Sequence, residues 1–119
     1  MRNITECMLH DWTTTLKSKE IANIVKFFSH DAFYRDDSVS RGLLGQESIR
    51  HYIQNTETWA NRIGQEFQYS IEENIHGGFI AISTNNYSNE KYRETFIFDQ
   101  TDKTILRYEI QNIFRESKL

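Results

Sequence analysis

The sequence predicts an α+β domain in which three N-terminal helices pack on a strongly curved, mostly antiparallel sheet. Apolar residues recur with helical spacing through the first half of the chain, and from Gln65 onward they alternate with polar residues, which is the period of a strand. Because the helices are gathered ahead of a run of strands, the order is that of an α+β protein and not of a parallel α/β sheet. With 119 residues, no repeats and no linker, we expect a single domain, residues 1–119.

Three segments have the spacing of amphipathic helices. The first is expected over residues 5–17 with Thr5 as its N-cap, the second between Ser18, a candidate N-cap, and Ser29, and the third from residue 46 to about 61. Their apolar stripes are, in order, Ile4, Met8, Trp12 and Leu16; Ile21, Ile24, Val25 and Phe28; and Ile49, Tyr52, Ile53, Thr56, Ala60 and Ile63.

The strands fall into two groups. A short strand, Ala32–Asp36, lies between the second and third helices, and we expect residues 42–45 (GLLG) to be a connector into the third helix. After Gly64 the alternation predicts a four-strand antiparallel meander: a strand around Phe67, Tyr69 and Ile71, then Phe79–Tyr87, Lys91–Asp99 and Thr104–Phe114. One face of the last strand is expected to present Leu106, Tyr108, Ile110, Asn112 and Phe114.

Composition excludes several classes of function. The formal net charge is −3 and no run of Lys or Arg is present, so we expect no nucleic-acid partner and no membrane partner. One cysteine rules out a disulfide framework and a cysteine zinc site, and the four histidines lack metal-ligand spacing, so neither metal nor cofactor is expected. With no signal-like apolar segment, the expected location is the cytoplasm.

Glu94 is an acid placed among aromatic residues. It shares a strand face with Tyr92, Phe96 and Phe98, whereas the opposite face is mostly polar, so the alternation puts Glu94 inside. A buried carboxylate is costly unless its pKa rises or it gains partners. The alternative is a partly hydrated carboxylate that pairs with an arginine.

The acids Asp36 and Asp37 end the first predicted strand, and in a regular strand they point to opposite faces. Asp36 is the inner acid if Ala32 and Tyr34 point inward, and Asp37 is the inner acid if Phe33 does. A third possibility is that both are solvated and one of them caps a turn. Periodicity alone leaves these alternatives open.

The element order, together with the segments DAFYRDD and RGLLGQESIRHYI, resembles the nuclear transport factor 2-like superfamily, notably its SnoaL-like cyclases and ketosteroid isomerases. The resemblance extends from Met8 to Phe114, and Gly45, Glu47, Ile49 and Tyr52 match the family's helix start. It implies a cystatin-like roll, in which the curved sheet encloses a cone-shaped pocket. The superfamily includes enzymes, binding modules and assembly domains, so the resemblance implies a fold more firmly than an activity.

The ketosteroid isomerase pattern implies roles for three residues. The family's general base falls on Asp36, its protonated oxyanion-hole acid on Glu94, and its helix 1 tyrosine on Trp12. Two of these depart from the pattern, since Glu94 replaces an aspartate and the Trp12 indole can donate a hydrogen bond but cannot transfer a proton.

Three functions are consistent with these residues. The first is proton transfer on a small apolar carbonyl compound (isomerisation, cyclisation or dehydration), with Asp36 as base and a neutral Glu94 donating to the enolate. The residues expected to bind that substrate are Trp12, Tyr34, Tyr108 and Asn112. The second is non-catalytic binding of a small apolar ligand. The third, compatible with either, is a homodimer through the exposed sheet face at Ile97, Ile105 and Ile113.

Overall fold

A computed structural model describes residues 4–114 of the chain. The side chains of Ile4, on the predicted stripe of the first helix, and Phe114, on the predicted face of the last strand, are not among the parts that it describes. None of the described helices is long and apolar enough to cross a membrane. The elements are α1 (Ile4–Lys17), α2 (Ile21–Val25), β1 (Phe28–Asp36), β2 (Val39–Leu44), α3 (Gln46–Asn55), α4 (Glu57–Ala60), β3 (Phe67–Ile75), β4 (Gly78–Asn85), β5 (Lys91–Phe98) and β6 (Ile105–Phe114).

The strands form one open, curved sheet in the order β2-β1-β6-β5-β4-β3. Neighbouring strands are antiparallel except β1 and β6, which run parallel. The helices cover the inner face, where buried apolar side chains from both layers form the core. The predicted α+β class and the antiparallel meander are therefore confirmed, and the meander is extended by β1 and β2.

Strand β2 is a correction to the sequence analysis, because Leu43 and Leu44 belong to a strand rather than to a connector. They pair with Tyr34 and Phe33 of β1. Gly42 has φ +83°, and a Cβ at this position would overlap the Phe33 ring. Glycine is favoured here by its positive φ and by the lack of room beside the Phe33 ring. Gly45 follows β2 as the N-cap of α3.

The first two helices differ from prediction at their ends. Helix α1 includes Ile4, so Thr5 lies in its first turn and is not the N-cap. Helix α2 begins after its N-cap, Glu20, so Ser18 is not the N-cap; its hydroxyl donates to the Thr15 carbonyl and accepts from the backbone N–H of Glu20. Phe28 belongs to β1, because the chain becomes extended after Phe27.

The third predicted helix is two helices, and the break changes which residues point inward. Thr56 is extended (φ −112°, ψ 147°) and separates α3 from α4. Since the helical phase restarts there, Ala60, expected on the apolar stripe, is exposed, whereas Trp59 and Arg62 are buried. The restart at Thr56 therefore brings an arginine into the core.

An irregularity between β5 and β6 changes which residue of β6 is inside. The register shifts between Ile97 and Phe98, and Phe98 pairs with Ile105. Ile105 is consequently buried and Leu106 is 37% exposed, the reverse of the expected arrangement. Ile105 is therefore excluded from the exposed apolar patch that the sequence suggested.

Candidate functional site

Asp36 lies at the end of β1, on the side facing the helices, and is buried, whereas Asp37 is exposed. Its Oδ1 accepts hydrogen bonds from the backbone N–H groups of Ser38 (2.8 Å) and Val39 (3.0 Å), which close the β1–β2 turn. Its Oδ2 accepts from the hydroxyls of Tyr34 (2.6 Å) and Tyr52 (2.8 Å). Four donors hold this carboxylate in one orientation.

The two phenols beside Asp36 keep their protons well into the alkaline range. Burial, followed by the bond to Asp36 and its charge, raises the pKa of Tyr52 to about 12. The same causes raise the pKa of Tyr34, which is more deeply buried. Tyr34 also accepts a hydrogen bond from the Trp59 indole (2.7 Å), so the chain of donors runs from Trp59 through Tyr34 to Asp36.

Asp36 borders a cavity of about 290 Å³ between α4 and the ends of β1, β5 and β6. Tyr92 and Ile110 supply its apolar surface, and the other lining groups are polar. Four carboxylates line it and no Lys or Arg does; the acids are Asp36, Asp37, Glu57 and Glu90. We call this space the mouth cavity. A second cavity, of about 400 Å³, reaches Asp36 from the outward face of the sheet.

Glu94 is completely buried, and its carboxylate is fully engaged. Its Oε1 accepts from the hydroxyls of Tyr108 (2.5 Å) and Tyr69 (3.0 Å), and its Oε2 accepts from Ser83 (2.5 Å). Oε2 also lies 3.1 Å from Nη2 of Arg62, which is equally buried. Of the two alternatives, pairing with an arginine is the one observed, although the carboxylate is dry rather than partly hydrated.

The Glu94 network contains a permanent cation. Burial lowers the pKa of Arg62, but the charge of Glu94 and the nearby phenols outweigh burial and raise that pKa overall. Burial and the charge of Glu94 hold the pKa values of Tyr69 and Tyr108 well above normal, so both phenols remain donors. The carboxylate thus faces a charged guanidinium and two neutral phenols.

An aromatic layer separates the two acids. Tyr34, bonded to Asp36, stacks on Tyr108, bonded to Glu94, with ring centroids 5.7 Å apart. Trp59 packs against both rings, at 6.2 Å from each. The mouth cavity is therefore lined by Asp36 and not by Glu94.

The other predicted binding residues divide between these two regions. Tyr34 and Tyr108 form the aromatic layer, and Asn112 lines the mouth cavity, where it hydrogen-bonds to Glu90. The Trp12 indole donates to the hydroxyl of Tyr69 (2.9 Å), so it supports Glu94 through a phenol and does not contact the acid directly. Among the described residues, no group of three or more His, Cys, Asp or Glu has a metal-binding arrangement.

Sequence reasoning missed Arg62, Ser83 and Trp59 as site residues. Trp59 and Arg62 lay off the predicted helical stripe because the phase restart at Thr56 is invisible in a continuous pattern. Ser83 could have been found, since it is a small polar residue on the inward phase of β4, opposite Tyr92. The break at Thr56 could have been suspected because Trp59, a large apolar residue, lies off the apolar stripe of the third predicted helix.

Comparison with known proteins gives a clear result for structure and none for sequence. No protein-family model matches the chain, and no curated protein is significantly similar to it in sequence. Among solved structures, a SnoaL-like protein of unknown function from Burkholderia thailandensis superposes with a TM-score of 0.75 at 11% identity, covering 92% of this chain and 95% of that one.

Two further structures lead to the same fold. A steroid delta-isomerase from Pseudomonas aeruginosa gives a TM-score of 0.66 at 14% identity, covering 93% of this chain and 80% of that one. A nuclear transport factor 2-like protein of unknown function from Burkholderia xenovorans gives 0.65 at 9% identity, with coverages of 95% and 86%. The predicted fold resemblance is therefore confirmed, and the neighbours span both an isomerase and proteins of unknown function.

Proposed function

We propose that this chain, which has the nuclear transport factor 2-like fold, is a non-catalytic binding module for a small polar ligand carrying hydrogen-bond donors. The ligand occupies the mouth cavity, where the four carboxylates attract its donors; Asp36 contributes its negative charge, since both of its oxygens already accept two hydrogen bonds from the chain. The observation that supports binding over proton transfer is the buried position of Glu94. Isomerase-type chemistry needs a protonated acid facing the substrate, and here the acid is sealed behind Tyr108 and paired with Arg62.

The lining of the mouth cavity supports the choice of ligand. Its carboxylates and amides accept hydrogen bonds, and Asn61 and Thr58 add further polar groups. Such a lining suits a small amine or polyol better than the apolar compound expected from the sequence, because an apolar ligand would leave these groups without partners. Tyr92 and Ile110 provide the apolar contact area that a small ligand also needs.

Tyramine and 4-ethylphenol form a pair of probes that differ by one ammonium group. We expect tyramine to shift the amide resonances of Ser38, Asn61 and Asn112 saturably in nitrogen-15 NMR titrations, and 4-ethylphenol to do so more weakly. Asp36→Asn should weaken tyramine binding by about tenfold, because the cavity loses one of the four negative charges that attract the ammonium group. The matched control, Asp31→Asn, changes an exposed aspartate outside the cavity and should bind normally.

Proton transfer is tested in the same samples. Cyclohexanone in D₂O exchanges its α-protons when a general base acts on it, and we expect no exchange beyond the buffer rate. Exchange catalysed by the wild type and lost in Asp36→Asn would replace the binding proposal with an enzyme. Saturation by neither probe would overturn the mouth cavity as a ligand site.

A second copy of the chain is the partner we propose for the outward face of the sheet. Ile113 is 38% exposed on β6, and Ile97 lies on the same face of β5. In a two-fold interface the same patch meets itself, so these isoleucines can pack against isoleucines of the second copy. Arg107 and Glu109 pair within the chain between these isoleucines, which reduces the cost of burying their charges.

Ile113→Glu should shift the molar mass measured by light scattering from two chains to one at micromolar concentration, because it places a carboxylate in the interface. Ile71→Glu is the matched control, since Ile71 is 37% exposed on the edge strand β3. A wild-type protein that is monomeric under these conditions would remove the dimer from consideration.

A further inference from the structure

The guanidinium of Arg62 lies in a cage of aromatic rings. Its Cζ is 4.5 Å from the ring centroid of Phe67, 4.7 Å from that of Tyr92 and 5.4 Å from that of Trp59. On another side, Nη2 contacts the buried carboxylate of Glu94. Aromatic faces combined with a dry carboxylate form the arrangement by which proteins bind organic cations.

The carboxylate side of this cage is built without Arg62. Glu94 projects from β5, and the hydroxyls that orient it belong to three other strands. These donors are Tyr69 on β3, Ser83 on β4 and Tyr108 on β6. Tyr69 is held in turn by the Trp12 indole of α1. If the Arg62 side chain were removed, Glu94 would therefore keep its position but would have no cation beside it.

Arg62 fills the cage without satisfying all of its own hydrogen-bond donors. It is 1% exposed, and its Nε and Nη1 are buried without a hydrogen-bond partner among the described residues. It also comes from a different part of the fold, the turn between α4 and β3, in which Gly64 has φ +83°. The sheet supplies the acid and most of the cage, whereas a turn supplies the occupant.

The geometry points to a binding site for a guanidinium or similarly small organic cation, formed by Glu94 and the three rings, that is occupied in this structure by the chain's own Arg62. This site lies behind Tyr92, which also lines the mouth cavity. The inference goes beyond the proposed function, because it uses neither Asp36 nor any ligand in the mouth cavity. Its consequence is that an external cation takes the site when the arginine side chain is shortened.

Arg62→Ala tests this with two probes of nearly equal shape, methylguanidinium, which is charged, and N-methylurea, which is neutral. At fixed ionic strength we expect methylguanidinium to raise the melting temperature of Arg62→Ala saturably, by roughly 4 °C at ten times its dissociation constant. N-methylurea should not raise it. The wild type should respond to neither probe at the same millimolar concentrations, because its site is filled.

Two further variants serve as controls for the charge and for the choice of arginine. Arg62→Ala/Glu94→Gln retains the space and loses the charge, so methylguanidinium should no longer stabilise it. Arg50→Ala removes a partly exposed arginine that pairs with Glu47, and this variant should behave like the wild type.

The outcomes that overturn the inference are specific. They are no response of Arg62→Ala to methylguanidinium, an equal response to N-methylurea, or a response that survives in the double variant. If Arg62→Ala does not fold alone, recovery of its folded amide spectrum with methylguanidinium and not with N-methylurea supports the site. Failure to fold with either probe counts against it.

Discussion

Replacing Glu94 with alanine destabilises the fold by about 4 kcal/mol, because Arg62 is left as a buried cation without a counter-charge. The arginine cannot escape the penalty by losing its proton, since guanidinium stays charged in proteins. It is 1% exposed, its Nε and Nη1 lack partners among the described residues, and its Nη2 would keep only the uncharged Tyr69 hydroxyl at 3.2 Å, so no contact supplies a replacement charge. The hydroxyls of Tyr69, Tyr108 and Ser83 would lose their acceptor at the same time.

Urea denaturation followed by tryptophan fluorescence measures this loss. Glu94→Leu/Arg62→Met, which replaces both charges with apolar groups, should recover most of the stability, since an apolar pair of similar volume avoids the unpaired charge. Glu72→Ala, at an exposed ion pair with Arg93, should change little. If Glu94→Ala were as stable as Glu72→Ala, Arg62 would have to reach solvent in the variant.

Gly78→Ala is expected to cost about 3 kcal/mol, because the sheet has no room for a methyl group at this position. A Cβ on Gly78 would overlap the carbonyl oxygen of Phe96 and lie 2.8 Å from its carbonyl carbon. These are backbone atoms of the neighbouring strand, so they cannot rotate away, and β4 and β5 would have to separate. Glu94 lies two residues from Phe96 on β5, so the separation would also disturb the buried ion pair.

The adjacent glycine provides the control. Gly77→Ala adds the same methyl group, whose nearest neighbour is 3.5 Å away on Ile97, and its cost comes only from φ +81°. We expect about 1 kcal/mol for that conformation. Thermal unfolding of the two variants should therefore give clearly different midpoints, and equal midpoints would show that the strands adjust to the larger residue.

Strand alternation predicted the meander and the inward position of Glu94 correctly, because successive side chains of a strand point to opposite faces of the sheet. It could not predict that Glu94 meets Arg62, since the partner depends on the restart of the helix at Thr56. Two of the isoleucines on β6 illustrate a related limit. Ile113 followed the alternation, whereas Ile105 did not, because a register shift in the partner strand inverted its phase.

The missed strand β2 has a different cause. Its short glycine-containing segment has little strand pattern of its own, and it is extended because it pairs with β1. Sequence also left open which of Asp36 and Asp37 is inside, and tertiary contacts decided this. Tyr52 donates to Asp36 from α3. This contact joins residues 16 positions apart, so the alternation within a five-residue strand could not predict it.

The parallel pairing of β1 with β6 has a consequence for how the protein acquires its structure. The paired residues Arg35 and Glu109 are 74 positions apart in the sequence, whereas the other strand pairs join consecutive strands. Closing so long a loop lowers the chain entropy before any stabilising contact has formed, so this pairing is expected to form most slowly. The β1–β2 hairpin and the meander β3–β6 can each assemble locally. Folding of this domain should therefore be limited by the docking of the two-strand hairpin onto the four-strand meander, and Tyr34 and Tyr108 meet across that junction.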